Sequence, residues 1–387
     1  MIISKVEFST DCIHWVGRMP CVIQKSTNQK SCRGCSAYKP CRKNILIVKV
    51  GGLGSITRSL VVAQEFRHKF RKDNCKIQYL THTKGRDLLQ YSSAVDEVLD
   101  INDWTSLNFL AVQKFDILVN FECSKRALAV VGKINADLKL GFLPDFKGSP
   151  YVESSSSAEF ARLQTNDYFR KKVNKKSMQQ IFLEVAGLTW KKQCYQLHIN
   201  ETDKAYAQKF FSHINFDKKD KIIGLNIGSS KRQIKKRWSI KKFVGLINII
   251  NSNHPNWKIV ILAGPEESNL YKKLYSLRSQ DFFKGVIFTG CYNSIGQFIA
   301  VVNCADLVVS CDTFGMHVAI AFGKKVITLN GPQPIQEIEI YGLGEKIENK
   351  ISCSPCFLAV DNCSRECMEI GEAVVYQSIL RALNSTE

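Results

Sequence analysis

The residues of this chain that could do chemistry are of two kinds, clustered cysteines and polar side chains set beside glycines. Cys353, Cys356, Cys363 and Cys367 follow one another at spacings of x2, x6 and x3, four thiols in one loop with a tight pair at each end. Sulfurs spaced in this way can converge on a tetrahedral ion. Near the start, Cys12, Cys21, Cys32 and Cys35 offer a second four-thiol set, with His14 and Cys41 as spare ligands. The segment around them is short and poor in apolar residues, so it could hardly fold without a staple. Fifteen cysteines is a high and odd number for a chain of 387 residues. Thiolate ligation of zinc or iron accounts for that number more economically than disulfides do, with reduced structural thiols as the alternative. Both sets point to structural metal, because a four-thiolate ion keeps no open coordination position. The other six, Cys75, Cys123, Cys194, Cys291, Cys304 and Cys311, are scattered and mostly flanked by apolar residues, as small core residues would be.

The second kind is found at VGGLGS (Val50 to Ser55) and at CDTFGMHVAIAFGKKVITLNGP (Cys311 to Pro332). Glycine accepts positive φ and leaves backbone amides open to a ligand. In the second stretch an apolar run ends in Asp312, Thr313 can cap a helix, and Gly315 permits close approach. An anionic diphosphate suits such a helix start, although Asp312 and Thr313 could equally serve as caps and nothing more.

Chemistry of this kind needs elements to position it. NILIVKV (Asn44 to Val50) is a short β-branched apolar run, followed by the glycine turn and the helical pattern ITRSLVVAQEFRHKF. The alternation continues through CKIQYLTH, VDEVLDI, FDILVNFE and LKLGF. A second set begins at KIIGLNIG (Lys221 to Gly228) and runs through WKIVILAG, GVIFTG, DLVVSC and KKVITLNG. Strands alternating with helices predict parallel sheets with right-handed crossovers. Two sets of similar size predict an α/β fold of the GT-B kind, two Rossmann-like domains facing a cleft, with ligands at the carboxyl ends of the strands. The expected divisions are a small Cys-rich metal-binding segment at 1–43, domains at 44–205 and 206–348, and a cysteine cluster with a terminal helix at 349–387. That helix, EAVVYQSILRAL, is expected to pack back on the first domain.

KKRW (Lys235 to Trp238), AGPEE (Ala263 to Glu267), DTFGMH (Asp312 to His317) and NGPQP (Asn330 to Pro334) stand in that order in the second set. They resemble the lysine-x-tryptophan element, glycine-rich turn, nucleotide-sugar signature and phenylalanine-glycine-proline turn of glycosyltransferase family 9, the ADP-heptose lipopolysaccharide heptosyltransferases. Asn330 stands at the phenylalanine place. With the first strand and turn, the resemblance spans about Asn44 to Ala382.

The resemblance implies inverting transfer of a sugar, a heptose foremost, from a nucleoside diphosphate such as ADP-heptose to a lipopolysaccharide-type glycan or a protein. It implies an acceptor domain before a nucleotide-sugar domain, and no catalytic divalent cation. Lys236 matches the lysine that stabilises the phosphates, and Asp312 the acid that holds the sugar. The amides after Thr313, with Gly315, Met316 and His317, would complete the diphosphate pocket, and Gly54 and Ser229 would line the donor site. Family members carry an aspartate directly after the turn, where this chain has Gly54 followed by Ser55. A neutral serine does not take a proton at ordinary pH, and a positioned base is typically worth about 10²–10⁴-fold. Glu122, at the end of a strand, is the best-placed substitute. In autotransporter heptosyltransferases of the family a similar cysteine cluster binds iron.

Lys and Arg outnumber Asp and Glu by 54 to 35, a net charge of +19. Such a field favours anionic partners: a nucleotide sugar, a phosphorylated glycolipid, the inner leaflet of a membrane or nucleic acid. The absence of an aromatic-interleaved basic stripe argues against nucleic acid. No apolar run approaches a membrane span and the N-terminus lacks the features of a signal peptide, so a cytoplasmic protein touching the inner membrane peripherally is expected. Two rivals remain open, a catalytically degenerate relative that binds a nucleotide or scaffolds a partner, and a basic, metal-dependent nucleic-acid binder.

Overall fold

The computed structural model describes residues 8–15, 19, 21–28, 31–212, 220–357 and 363–384, without the side chains of 231 and 232. After a short helix α1 (Val22–Thr27) the chain builds β1 (Asn44–Val48), α2 (Leu53–Lys69), β2 (Lys76–Thr81), α3 (Thr83–Leu89), β3 (Glu97–Asp100), α4 (Trp104–Ala111), β4 (Lys114–Asn120), α5 (Lys125–Lys133) and β5 (Asn135–Gly141). These strands form one parallel sheet in the order β3-β2-β1-β4-β5. Its central strand β1 is apolar after Asn44 because both faces are covered: Ile45, Leu46, Ile47 and Val48 are all fully buried. A hairpin of β6 (Leu143–Pro144) and β7 (Pro150–Tyr151) then leads into α6 (Ser155–Thr165), α7 (Met178–Val185) and α8 (Glu201–Gln208).

The second lobe contains β8 (Ile222–Asn226), α9 (Ile240–Asn253), β9 (Lys258–Leu262), α10 (Ser268–Tyr275), β10 (Val286–Phe288), α11 (Ile295–Asn303), β11 (Leu307–Cys311), α12 (Phe314–Ala321), β12 (Lys325–Asn330) and β13 (Gly344–Glu348). Its six strands are parallel, in the order β10-β9-β8-β11-β12-β13. The two-sheet α/β architecture is therefore the one expected. In each sheet the order reverses beside the first strand, between β1 and β4 and between β8 and β11, and a crevice opens at such a point outside the strand ends.

Helix α12 lies where the lobes meet. Gly315 to Ala321 are all buried, because one side packs on β11 and β12 and the other on α2 of the first lobe. A helix apolar all round is what such a position requires. The lobes are also tied by Arg170, whose guanidinium pairs with both Glu337 oxygens at 2.6 and 2.7 Å and stacks 3.9 Å from the Phe357 ring. The division expected between 205 and 206 falls inside α8, which packs on α11 and whose Asp203 accepts a 2.7 Å hydrogen bond from Tyr91.

One expectation is overturned. The terminal helix α13 (Glu372–Asn384) packs not on the first lobe but on α9, β12 and β13 of the second. Its stripe of Val375, Ile379 and Ala382 joins the core that contains Ile247, Ile250 and Ile327, where those apolar side chains find cover.

Candidate functional site

The strand ends converge on a cleft of about 420 Å³ between the lobes. From the first lobe it is lined by Gly52, Leu53, Gly54, Ser55, Arg58, His82 and Lys84. From the second come Asn226, Ser229, Lys236, Glu267, Phe298, Asp312 and Thr313 with their neighbours. The two walls approach closely at Gly54. A Cβ there would lie 2.9 Å from His317 Cδ2 and 3.5 Å from the Phe314 amide nitrogen, so only glycine lets the first turn of α2 meet the first turn of α12.

On the second-lobe wall the polar groups hold one another. Lys236 Nζ lies 3.1 Å from Asp312 Oδ2, and His317 Nε2 lies 3.2 Å from Asp312 Oδ1. Tyr195 O–H stands 2.9 Å from His317 Nδ1. Burial opposes charge on Asp312, yet Lys236, Arg58 and His317 together hold its carboxyl well below the usual range. Burial lowers the His317 pKa to about 4, so the ring is neutral near pH 7. An ionised Asp312 then accepts from Nε2–H, and Nδ1 accepts from Tyr195. Behind this wall Trp238 is buried and donates from Nε1 to the Ile370 carbonyl at 3.0 Å, while Arg365 donates to the Arg237 carbonyl. The cysteine-bearing C-terminal loop therefore buttresses the segment that carries Lys236.

Most helix starts are capped by side chains, whereas those of α2, α10 and α12 are not. Ser124, Ser154, Ser177, Asn200, Ser239 and Ser294 cap α5, α6, α7, α8, α9 and α11 with their side chains. Helices α2 and α12 have no side-chain cap. Gly52, at φ +68°, begins the first, and Thr313 begins the second with its hydroxyl turned to Asn226 Nδ2 at 2.6 Å. Thr313 thus does not cap, contrary to one sequence reading. Two uncapped N-termini face one cleft, and such termini favour anions.

Of the residues singled out from sequence, Gly54, Ser55, Ser229, Lys236, Asp312, Thr313, Gly315 and His317 all line the cleft. Met316 does not; it is fully buried, turned into the core. Neither does Glu122, whose Oε1 accepts from Lys49 Nζ at 2.5 Å, Val50 N at 2.9 Å and Gly51 N at 3.0 Å. Burial raises its pKa and these donors outweigh burial, so the carboxylate is held ionised. Arg58, His82 and Lys84 were missed. Arg58 had a signal, since it follows Gly54 by four residues and so shares its face of α2.

Every cysteine is free. Cys12, Cys21, Cys32 and Cys35 line one small cavity of about 30 Å³ together with His14. Of the C-terminal four, Cys356 and Cys367 are buried, and burial with the nearby Cys356, Cys363 and Cys353 raises the Cys367 pKa. The side chains as placed make no group of three or more His, Cys, Asp or Glu with metal-site geometry among the described residues. Residues 358–362, between Cys356 and Cys363, lie outside those described.

Paired parallel sheets with an anion-favouring cleft at their switch points define a GT-B transferase fold. The chain belongs to glycosyltransferase family 9 (heptosyltransferase), whose profile matches residues 109–366. It is 24% identical over 298 residues to the lipopolysaccharide core heptosyltransferase OpsX of Haemophilus influenzae, covering 74% of this chain and 78% of OpsX. The family 9 glycosyltransferase of Veillonella parvula superposes with a TM-score of 0.69 at 20% identity, over 89% of this chain and 98% of that one. Escherichia coli heptosyltransferase WaaC with ADP gives 0.59 at 16% identity, over 88% and 99%. The iron-containing dodecameric glycosyltransferase TibC of enterotoxigenic E. coli gives 0.54 at 11% identity, over 90% and 78%. No helix among the described residues is long and apolar enough to cross a membrane.

Proposed function

We propose that this chain transfers a sugar, with inversion, from a nucleoside diphosphate donor to a glycan or protein acceptor, and that ADP-heptose is the donor. The observation that carries this reading is the Lys236–Asp312–His317 network beside the uncapped start of α12, in a cleft of nucleotide-sugar size. The acceptor hydroxyl oxygen attacks the anomeric carbon, its proton passing to a base or to solvent, and the bond from that carbon to the β-phosphate oxygen breaks. The leaving diphosphate takes the electron pair, facing Lys236 and the first amides of α12. Asp312 holds the sugar hydroxyls, with its carboxylate oriented by His317. A solved WaaC complex contains ADP, which supports the choice of nucleotide. The +19 charge suits this donor, an anionic glycolipid acceptor and a peripheral stance on the inner leaflet.

Calorimetry with ADP-heptose and other nucleotide sugars tests the donor site. Micromolar affinity for one of them is the expected outcome, and no binding to any at millimolar concentration would remove the reading.

The proton acceptor decides between an enzyme and a nucleotide-binding relative without turnover. The first-lobe residues lining the cleft include no carboxylate: Ser55 is neutral, and His82 already accepts the Gly85 amide at Nδ1, 3.0 Å away, which leaves Nε2 as a donor. Glu122, committed to Lys49 and two amides, serves in our reading to hold the glycine turn. Turnover by wild type and Ser55→Asp separates the two cases, activity only in the aspartate variant marking a degenerate site.

For the cysteines we propose structural zinc or iron at both clusters. The N-terminal thiols line one cavity, the C-terminal ones gather around Cys367, and TibC is an iron-containing relative. Metal analysis of purified protein is expected to return about two ions per chain, and a metal-free folded protein would refute the assignment.

A further inference from the structure

The cleft contains a cation that the donor chemistry above does not use. Arg58 extends from α2 of the first lobe, and its Nε is buried with no hydrogen-bond partner. A buried guanidinium N–H left unpaired is costly, and one that lies on the wall of a cleft can be satisfied by a ligand bound there. Asp312 does not satisfy it: its two oxygens face Lys236 and His317, and neither accepts from Arg58 Nε.

The surroundings indicate what would. Arg58 sits one turn after Gly54, on the stretch of α2 that abuts the first turn of α12 at Thr313 and Phe314. Its charge is felt by both Asp312 and His317. Arg58 and Lys236 both act on Asp312, beside two uncapped helix N-termini, while elsewhere in the cleft Lys84 is matched by Glu266 and Glu267. Two cations acting on the single carboxylate of Asp312 leave a local positive excess that suits an anion. Ser55 contributes to it, because a carboxylate three residues before Arg58 on the same helical face would neutralise the guanidinium.

We infer that Arg58 grips the β-phosphate of the donor and of the diphosphate product from the first lobe, opposite Lys236 on the second. This rests on the proposed nucleotide donor and adds the first-lobe contact to it. The diphosphate bridges the lobes, so its departure is tied to their separation. An arginine fits the task, since its fixed fork can give two parallel N–H bonds to a phosphate where a lysine gives a point charge.

The test is calorimetry of ADP and AMP on wild type, Arg58→Gln and Arg58→Lys, with thermal melts to establish folding. Arg58→Gln is expected to weaken ADP by about 10- to 100-fold and AMP by less than about threefold, since a charge-assisted phosphate contact is lost only where the second phosphate exists. Arg58→Lys, which keeps the charge and should fold where the glutamine variant does not, is expected to recover part of the ADP affinity and none of the fork. Equal losses for ADP and AMP, or unchanged ADP affinity in folded Arg58→Gln and Arg58→Lys, would overturn the assignment. Failure of wild type to bind either nucleotide would instead overturn the donor reading beneath it.

Discussion

The two walls of the cleft are built on opposite plans. On the second lobe the central polar groups have partners: Lys236 holds Asp312, Asp312 holds His317, and His317 is held by Tyr195. On the first lobe the groups that face the cleft are backbone amides, Ser55 and cations, with Arg58 Nε unpaired and the nearest strand-end carboxylate, Glu122, turned away to Lys49. One wall is arranged before any ligand arrives, and the other offers donors. A buried network fixes the donor end at the cost of burying charge, whereas an unpaired wall can accept different acceptors but supplies no base.

The largest effect on this contrast should come from cutting the network. Asp312→Asn leaves Lys236, whose side chain is only 6% exposed, without its counter-charge. We expect a loss of roughly 3–5 kcal/mol in denaturant unfolding and donor affinity too weak to measure by calorimetry. A variant as stable as wild type would mean that the pair is not the keystone of that wall.

His317 should report through pH. Its folded pKa, about 4, lies below the ordinary value of a histidine, so the unfolded chain takes up a proton first as pH falls. Stability from this group is therefore complete above about pH 6.5 and declines toward pH 4, by up to roughly 1.4 kcal/mol per pH unit. His317→Gln is expected to flatten that part of the stability curve, and an unchanged slope would count against a neutral buried ring.

Glu122→Gln sharpens the contrast from the other wall. If Glu122 holds the turn, stability falls by about 1–3 kcal/mol and turnover by less than roughly tenfold. A loss above about 10³-fold in a fully folded variant would make it the base after all. The smallest effect is expected at the buttress. Arg365→Ala removes the bond to the Arg237 carbonyl, and we expect donor affinity to drop by about three- to tenfold through displacement of Lys236, with the melting temperature nearly unchanged.

How far these features were legible in the sequence varies with their range. The alternation of β-branched runs and helices placed both sheets, because strand burial on two faces leaves a local apolar signature, as in Ile45 to Val48. Motif spacing placed Lys236 and Asp312 in one cleft. It did not record that the Met316 side chain turns into the core while His317, in the same motif, faces the cleft, nor that Glu122 folds onto Lys49 and the adjacent turn. It also sent α13 to the wrong lobe, since an amphipathic stripe says that a helix packs and not on what.

By itself, then, the order of residues determined the elements, the two-lobed α/β class and the family, since each is encoded by periodicity or by residues close together in the chain. Only the tertiary structure decided which groups answer to one another. The uncapped starts of α2 and α12, the three-residue hold on Asp312 and the unpaired Arg58 depend on side chains far apart in sequence meeting across a cleft, and no local pattern records whether a hydroxyl turns to its own helix or to Asn226, or whether a guanidinium finds a carboxylate.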